Sequence, residues 1–400
     1  MRIGIFTDSY LPYINGVTTS VLMLKEALEK QGHEVFIVTV NPNKMKYEYE
    51  GDKIIRIPGI PVGIYDYRLT SIYPIRVINK IRKWKLDVIH SQTEFGVGTF
   101  ARVIASQFRI PIVHTYHTYY EDYMYYITKG HFDKAGKRFV RELANFYCDK
   151  SIDELIVPTK KIYDVYKDKY KFKRDINIVP TGLDIERFYK EKFDIKEVNK
   201  LKKEYNIKKD DISLLFVGRI AKEKNIDLLI NNMIKDDKLK LIIIGDGPDM
   251  AFYKNMVKEK NLEDRIIFVG KIPYKEIPIY YQLANIFVTA SRSETQGLTV
   301  IEALASSLPV LAIQDDSFKD VVIDNENGFI FNDEKEYKKI LTKLLKNKDL
   351  INKLSEGARK SSNNYSSDTF ASNVLKVYEK AIEKRKNKTL LTRLKEQFDK

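Results

Sequence analysis

The chain has one cysteine, Cys148, among 400 residues. No intrachain disulfide can form, and a reducing compartment is expected. No run reaches the ~20 apolar residues of a membrane-spanning helix. The amino terminus, MRIGIFTDSY, reads as a strand and not as a signal peptide, so a cytoplasmic protein is expected. Metal-binding spacings are also missing: there is no cysteine pair, no His-Glu-x-x-His and no Asp-x-Asp. No metal or cofactor is expected. The glycine patterns of phosphate loops and dinucleotide sites are missing too. Gly245-Asp246-Gly247-Pro248 has too few glycines for either and reads as structural punctuation.

What is present describes a folded chain of two to three domains, with 44% hydrophobic and 12% aromatic residues. The net charge is +14, from 69 basic and 55 acidic residues. That excess favours a nucleic acid, an anionic membrane surface or a phosphate-bearing substrate, against the plain alternative of a lysine-rich solvated surface. The charge is spread along the chain and no nucleic-acid-binding motif accompanies it, so no nucleic-acid partner is expected.

Residues 2–7 form a short apolar run suited to a buried parallel strand. LPYINGVTTSV follows, with Asn15-Gly16 reading as a tight turn. Leu22, Leu24, Ala27 and Leu28 begin a helix that Gly32 ends, and HEVFIVTV is the next strand. Further strands are expected near Lys53, Asp87 and Ile110, then at 152–158 and 176–180. A second series, SLLFVG, LKLIIIG, RIIFVG, ANIFVTA and LPVLAI, predicts a second parallel sheet. The expected division is an amino-terminal doubly wound domain over 1–180, a second over 181–369, and a final helix from about 370.

Residues 291–305, SRSETQGLTVIEALA, set Glu294 and Glu302 eight residues apart with Gly297 between them. Leu298, Ile301, Leu304 and Ala305 have helical spacing, so Glu294 falls in the loop before a helix and Glu302 one turn inside it. Free amides at that helix start attract anions, and two carboxylates could hold hydroxyls around a phosphate. The competing reading is a capped surface helix with a solvated glutamate face. Arg219 and Lys224, in GRIAKEKN after SLLFVG, could grip a diphosphate or be two exposed cations among many.

Glu-x7-Glu enclosing Gly-Leu resembles the donor-site motif of retaining, nucleotide-sugar-dependent glycosyltransferases of the GT-B fold. The resemblance implies two Rossmann-like domains facing each other across a cleft, with the last helix crossing back to the first domain. It implies that Arg219 and Lys224 hold the diphosphate and that Glu302 binds the ribose hydroxyls. The amides of Leu298 and Thr299, after Gly297, meet the phosphate or the sugar, and Glu294 binds hydroxyls on the far side of the sugar. It places Gly16 near the donor phosphates and His117, in VHTYHTYYEDY, at the sugar's primary hydroxyl. His114 is then a structural strand residue; Glu121 and Asp122, four and five residues beyond His117, are only candidates to face the acceptor. A same-face mechanism without a metal is implied, so Glu294 is no glycosidase-type nucleophile.

Residues 65–86, YDYRLTSIYPIRVINKIRKWKL, put Ile72, Ile75, Ile78 and Ile81 near one helix face with Trp84 at the end. Arg76, Lys80, Arg82, Lys83 and Lys85 fill much of the rest. Such a helix can lie in an anionic membrane interface, or its apolar face can pack on the sheet as a crossover. Tyr123, Tyr125, Tyr126 and Lys129 add a tyrosine-rich basic segment. Together with LPYINGVTTSV and HTYHTYYEDY, this helix resembles bacterial diacylglycerol glucosyltransferases. That implies a peripheral enzyme on the inner face of the membrane, moving glucose from UDP-glucose to 1,2-diacylglycerol. Phosphatidylinositol, a polyprenyl-linked sugar or a wall polymer are the alternative acceptors. Oligomeric state is not legible.

Overall fold

A computed structural model of the chain describes residues 1–13, 15–61, 68–94, 96–117 and 151–398, with side chains to 387 in the last helix. It forms two compact units, Met1–Gly182 with Ser367–Lys400, and Leu183–Ser366.

In the first unit the apolar runs become β1 (Arg2–Thr7), β2 (Glu34–Val40), β3 (Glu48–Glu50), β4 (Ile54–Ile57), β5 (Gly59–Pro61), β6 (Arg68–Thr70), β7 (Val88–Ser91), β8 (Ile112–Thr115), β9 (Glu154–Val157) and β10 (Ile176–Ile178). Eight of these form one sheet in the order β10-β9-β8-β7-β1-β2-β4-β3, parallel except for β3. β5 and β6 form a separate antiparallel pair. Parallel strands covered on both faces need apolar side chains on both, and β1 and β2 are buried along nearly their whole length.

Helix α1 (Gly16–Lys30) covers one face, and its first residue corrects the sequence reading. Asn15-Gly16 is not a free tight turn. Asn15 is the N-cap, its side chain accepting the Thr18 amide at 2.9 Å, and the helix starts six residues before Leu22. The last helix, which we label α5 (Ser367–Phe398), also packs on this unit. Phe370, Val374, Val377, Tyr378 and Ala381 are buried with Ile3, Ile5 and Leu24 in one core. Helices α2 (Ile75–Lys83) and α3 (Gly96–Phe108) contribute to the other core.

The two readings of helix α2 divide between its residues. Val77, Ile78 and Ile81 are buried in the core, so this face is a packed crossover. Trp84 is no interfacial anchor: it packs against Phe36 with the rings tilted and donates its indole N–H to the Asp52 carbonyl at 2.8 Å. A different apolar set stays exposed, namely Ile60, Leu69, Ile72 and Ile75. Tyr65 and Tyr67 lie outside the described residues.

The second unit holds β11 (Ile212–Val217), β12 (Leu239–Ile244), β13 (Ile266–Gly270), β14 (Ile286–Thr289), β15 (Val310–Ile313) and β16 (Gly328–Phe331). Their order is β13-β12-β11-β14-β15-β16, parallel throughout, which is the Rossmann order 3-2-1-4-5-6. Among the described residues no helix is long and apolar enough to cross a membrane.

Candidate active site

In the second unit the strand order reverses between β11 and β14. Ligands of open α/β sheets bind outside the carboxyl ends of strands at such a point. The loop carrying Arg219 and Lys224 follows β11, and residues 291–302 follow β14, so the topology brings the two motifs together. Lys224 Nζ donates to Glu294 Oε1 at 2.5 Å and lies 3.5 Å from Ser291 Oγ. Both side chains are largely shielded, 17% and 25% exposed, so water screens this pair less than a surface pair.

The backbone that aims Lys224 has identifiable causes. Lys222–Lys224 is a single 3-10 turn, stopped by Asn225 in the left-handed region at φ 49°. Asparagine tolerates that region, and its side chain donates to the Ala290 carbonyl at the end of β14 at 3.0 Å. Arg219 is exposed on the same loop. The 245–248 turn supports that loop: the Ile220 amide donates to the Asp246 carbonyl at 3.0 Å. A Cβ at Gly245 would stand 1.8 Å from the Gly218 carbonyl oxygen, and one at Gly247 would stand 2.2 Å from that of Ile220. These glycines are structural, and what they position is the Arg219 segment.

Gly297, at φ 76°, precedes helix α4 (Leu298–Ala305) and provides no side-chain cap. The amides of Leu298 and Thr299 have no acceptor within the helix, which makes its start attractive to an anion. Glu302 is not on a solvated face. It is buried and accepts a 2.5 Å hydrogen bond on Oε2 from the Tyr281 hydroxyl. Burial pushes its carboxyl up to about 7, with the Tyr281 hydrogen bond and the Arg187 charge pulling the other way. Its other oxygen takes no hydrogen bond among the described residues.

In the first unit, Gly16 is the exposed first residue of α1, with open space where a Cβ would stand. Its neighbour Asn15 donates to Ser9 Oγ at 2.7 Å. His117 follows β8, with Nε2 2.5 Å from Gln92 Oε1, and burial lowers its pKa to about 4. His114 lies within β8, with Nδ1 2.9 Å from the Ser91 carbonyl and Nε2 3.2 Å from Glu94, and is structural as expected. Glu121, Asp122, Tyr123, Tyr125, Tyr126, Lys129 and Cys148 lie outside the described residues.

Three participants escaped the sequence reading. Tyr281 holds Glu302 from a helix 21 residues upstream. Gln92, in HSQTEF after β7, holds His117. Asp8 follows β1, and its half-buried carboxylate accepts Thr93 Oγ1 at 2.5 Å and the Val97 amide at 3.0 Å, satisfying the start of α3. Burial pushes that carboxyl up to about 6. For Asp8 and Gln92 the available signal was position, since both stand at strand carboxyl ends.

Comparison with known proteins agrees with this geometry. The family described as "Glycosyltransferase Family 4" matches residues 14–187, and "Glycosyl transferases group 1" matches residues 197–361. The chain is 38% identical to alpha-monoglucosyldiacylglycerol synthase of Acholeplasma laidlawii, covering 97% of this chain and 99% of that protein. It is 36% identical to the Streptococcus pneumoniae protein of the same name, over 83% of this chain and 75% of that one. Among solved structures, Anabaena HepE in complex with UDP superposes with a TM-score of 0.68 at 15% identity, covering 95% of this chain and 100% of that one. The chain therefore belongs to the family 4 glycosyltransferases, enzymes of the GT-B fold built from two Rossmann-like units.

Proposed function

We propose that this glycosyltransferase moves glucose from UDP-glucose to 1,2-diacylglycerol, with retention at the anomeric carbon, to make monoglucosyl diacylglycerol. The observation that carries the reading is the 38% identity to an alpha-monoglucosyldiacylglycerol synthase along nearly the whole of both chains. The geometry of the second unit supports it. Arg219, Lys224 and the open amides of Leu298 and Thr299 supply positive potential for a departing diphosphate, with no metal ion required. Glu302 accepts the ribose hydroxyls, and Glu294 accepts hydroxyls of the sugar. Gly16 meets the donor phosphates, and His117 the sugar's primary hydroxyl.

In the reaction, the bond from the sugar's C1 to the phosphate oxygen breaks and its electron pair leaves with UDP. The acceptor hydroxyl attacks C1 from the same face and passes its proton to the departing phosphate. Lys224 is paired with Glu294 before the donor arrives. The pair keeps both groups in place; Lys224 then exchanges a carboxylate for the anionic diphosphate, and Glu294 exchanges the ammonium for neutral sugar hydroxyls.

The acceptor lies in a bilayer, so the enzyme works as a peripheral protein on the inner face of the membrane. The exposed set Ile60, Leu69, Ile72, Tyr73 and Ile75, beside Arg68, Arg76 and Lys83, supports that surface contact. The test is purified protein with diacylglycerol-containing vesicles and a panel of labelled nucleotide sugars. Label entering lipid from UDP-glucose is expected. Transfer from GDP-mannose instead, or to another acceptor in place of diacylglycerol, would overturn the reading.

A further inference from the structure

A continuous chain of polar groups in the first unit ends at His117, and the reaction above uses none of its other members. Tyr378, on α5, places its hydroxyl 2.6 Å from His90 Nδ1. His90 Nε2 lies 2.7 Å from Thr115 Oγ1 and 3.1 Å from Gln92 Nε2. Gln92 Oε1 lies 2.5 Å from His117 Nε2. Tyr378, His90 and Gln92 are buried, and burial holds both imidazoles neutral. Each neutral ring carries one N–H, so the donors can be counted.

The Gln92 NH2 group can only donate. His90 Nε2 beside it is therefore the acceptor, and His90 Nδ1 carries the proton that it gives to Tyr378. The other end of the amide, Oε1, can only accept, so His117 carries its proton on Nε2. His117 Nδ1 is then a lone pair with no hydrogen-bond partner among the described residues.

We propose that Gln92 is a positioning residue for sugar transfer: its amide fixes His117 as the Nε2–H tautomer and leaves Nδ1 to accept a hydrogen bond from a hydroxyl of the donor hexose. This rests on the placement of His117 at the donor sugar. The far end of the chain is anchored by α5, so the last helix closes the unit and also sets the orientation of a substrate-facing imidazole. The amide is assigned with its nitrogen toward His90 and its oxygen toward His117, and the reversed assignment would reverse every donor. The two networks therefore give opposite results at His117.

The experiment uses the full chain with 15N-labelled histidine. Its five histidines give few signals, and His117→Gln assigns the one in question. Long-range proton–nitrogen correlation should find His117 protonated on Nε2. A proton on Nδ1 would overturn the proposal. In Gln92→Leu the two tautomers should mix, and glucose transfer should fall roughly tenfold or more, with UDP affinity unchanged because UDP lacks the hexose that His117 would meet.

Gln92→Glu keeps an acceptor for His117 Nε2–H and should retain more activity than Gln92→Leu. Its new carboxylate adds to Glu94 and opposes His114, the charges already acting on His117, and raises the pKa of His117. Protonated His117 has no lone pair, so the acid limb of the rate profile should move to higher pH. An unmoved limb, or equal losses in the two variants, would leave Gln92 a packing residue only. Should Gln92→Leu fail to fold, the wild-type tautomer and the Gln92→Glu profile still decide. Full transfer by His117→Ala would instead refute the placement of His117 at the sugar.

Discussion

Glu302 shows how one residue's surroundings set its chemistry. A carboxylate one turn inside an apolar helix is deprived of water, and its pKa rises to about 7. Ribose hydroxyls donate more strongly to the ionised form, so UDP binding should pull that pKa back down. UDP affinity is expected to rise as pH goes from 6 to 8, with protons released on binding near pH 7. Calorimetry in buffers of different ionisation enthalpy measures both. In Glu302→Gln the pH dependence should flatten and binding should weaken by ~1–3 kcal/mol. The sign for folding is the reverse. The folded state holds the proton more tightly, so the contribution of Glu302 to stability falls as pH rises from 4.5 to about 7 and is flat above. Gly297 makes a separate residue-scale case. Its φ is 76°, and a Cβ there would meet Phe318 Cε1 at 2.7 Å. Gly297→Ala should cost about 1–2 kcal/mol from the backbone alone. Thermal unfolding should drop by several degrees, and an unchanged midpoint would contradict the left-handed geometry.

Among elements, legibility followed how local the cause was. β11, β12, β14 and β15 stand out as short apolar runs because both faces of each strand are largely buried, while β13, an edge strand, is mostly half-buried. β16 was missed: GFIF is four residues long, begins with glycine, and is ordered by pairing with β15. The start of α1 was missed because Asn15 signals a turn and an N-cap equally well, and only the structure shows its side chain accepting the Thr18 amide. Helix α2 was half legible. Its isoleucines were visible, but which of them face the core depends on the sheet they cover. The outcome is that Ile78 and Ile81 are buried while Ile72 and Ile75 are exposed. Replacing Ile72 and Ile75 with serine should therefore lower sedimentation with anionic vesicles severalfold while leaving thermal stability nearly unchanged. Loss of stability with unchanged vesicle binding would place the membrane contact elsewhere.

The whole molecule extends the same distinction. The donor motifs could be read because each is local: Glu294 to Glu302 within one loop and helix, and Arg219 to Lys224 within one loop. The contacts between them could not be read, since Lys224 meets Glu294 only because β11 and β14 are neighbours. The Tyr281 contact was invisible for the same reason, and for Gln92 only its place after a strand could be read. Net charge acts at this scale as well. With +14 on the chain, binding to anionic vesicles should weaken steadily as salt rises. Binding that does not respond to salt would leave the charge without a part in attachment.

The most direct test of glucosyl transfer with retention is the configuration of the product. The full chain would be incubated with UDP-glucose and vesicles containing 1,2-diacylglycerol, and the lipid product examined by NMR at its anomeric carbon. An α-linked monoglucosyl diacylglycerol is the expected result. A β-linked product, or glucose released to water with none reaching the lipid, would contradict it.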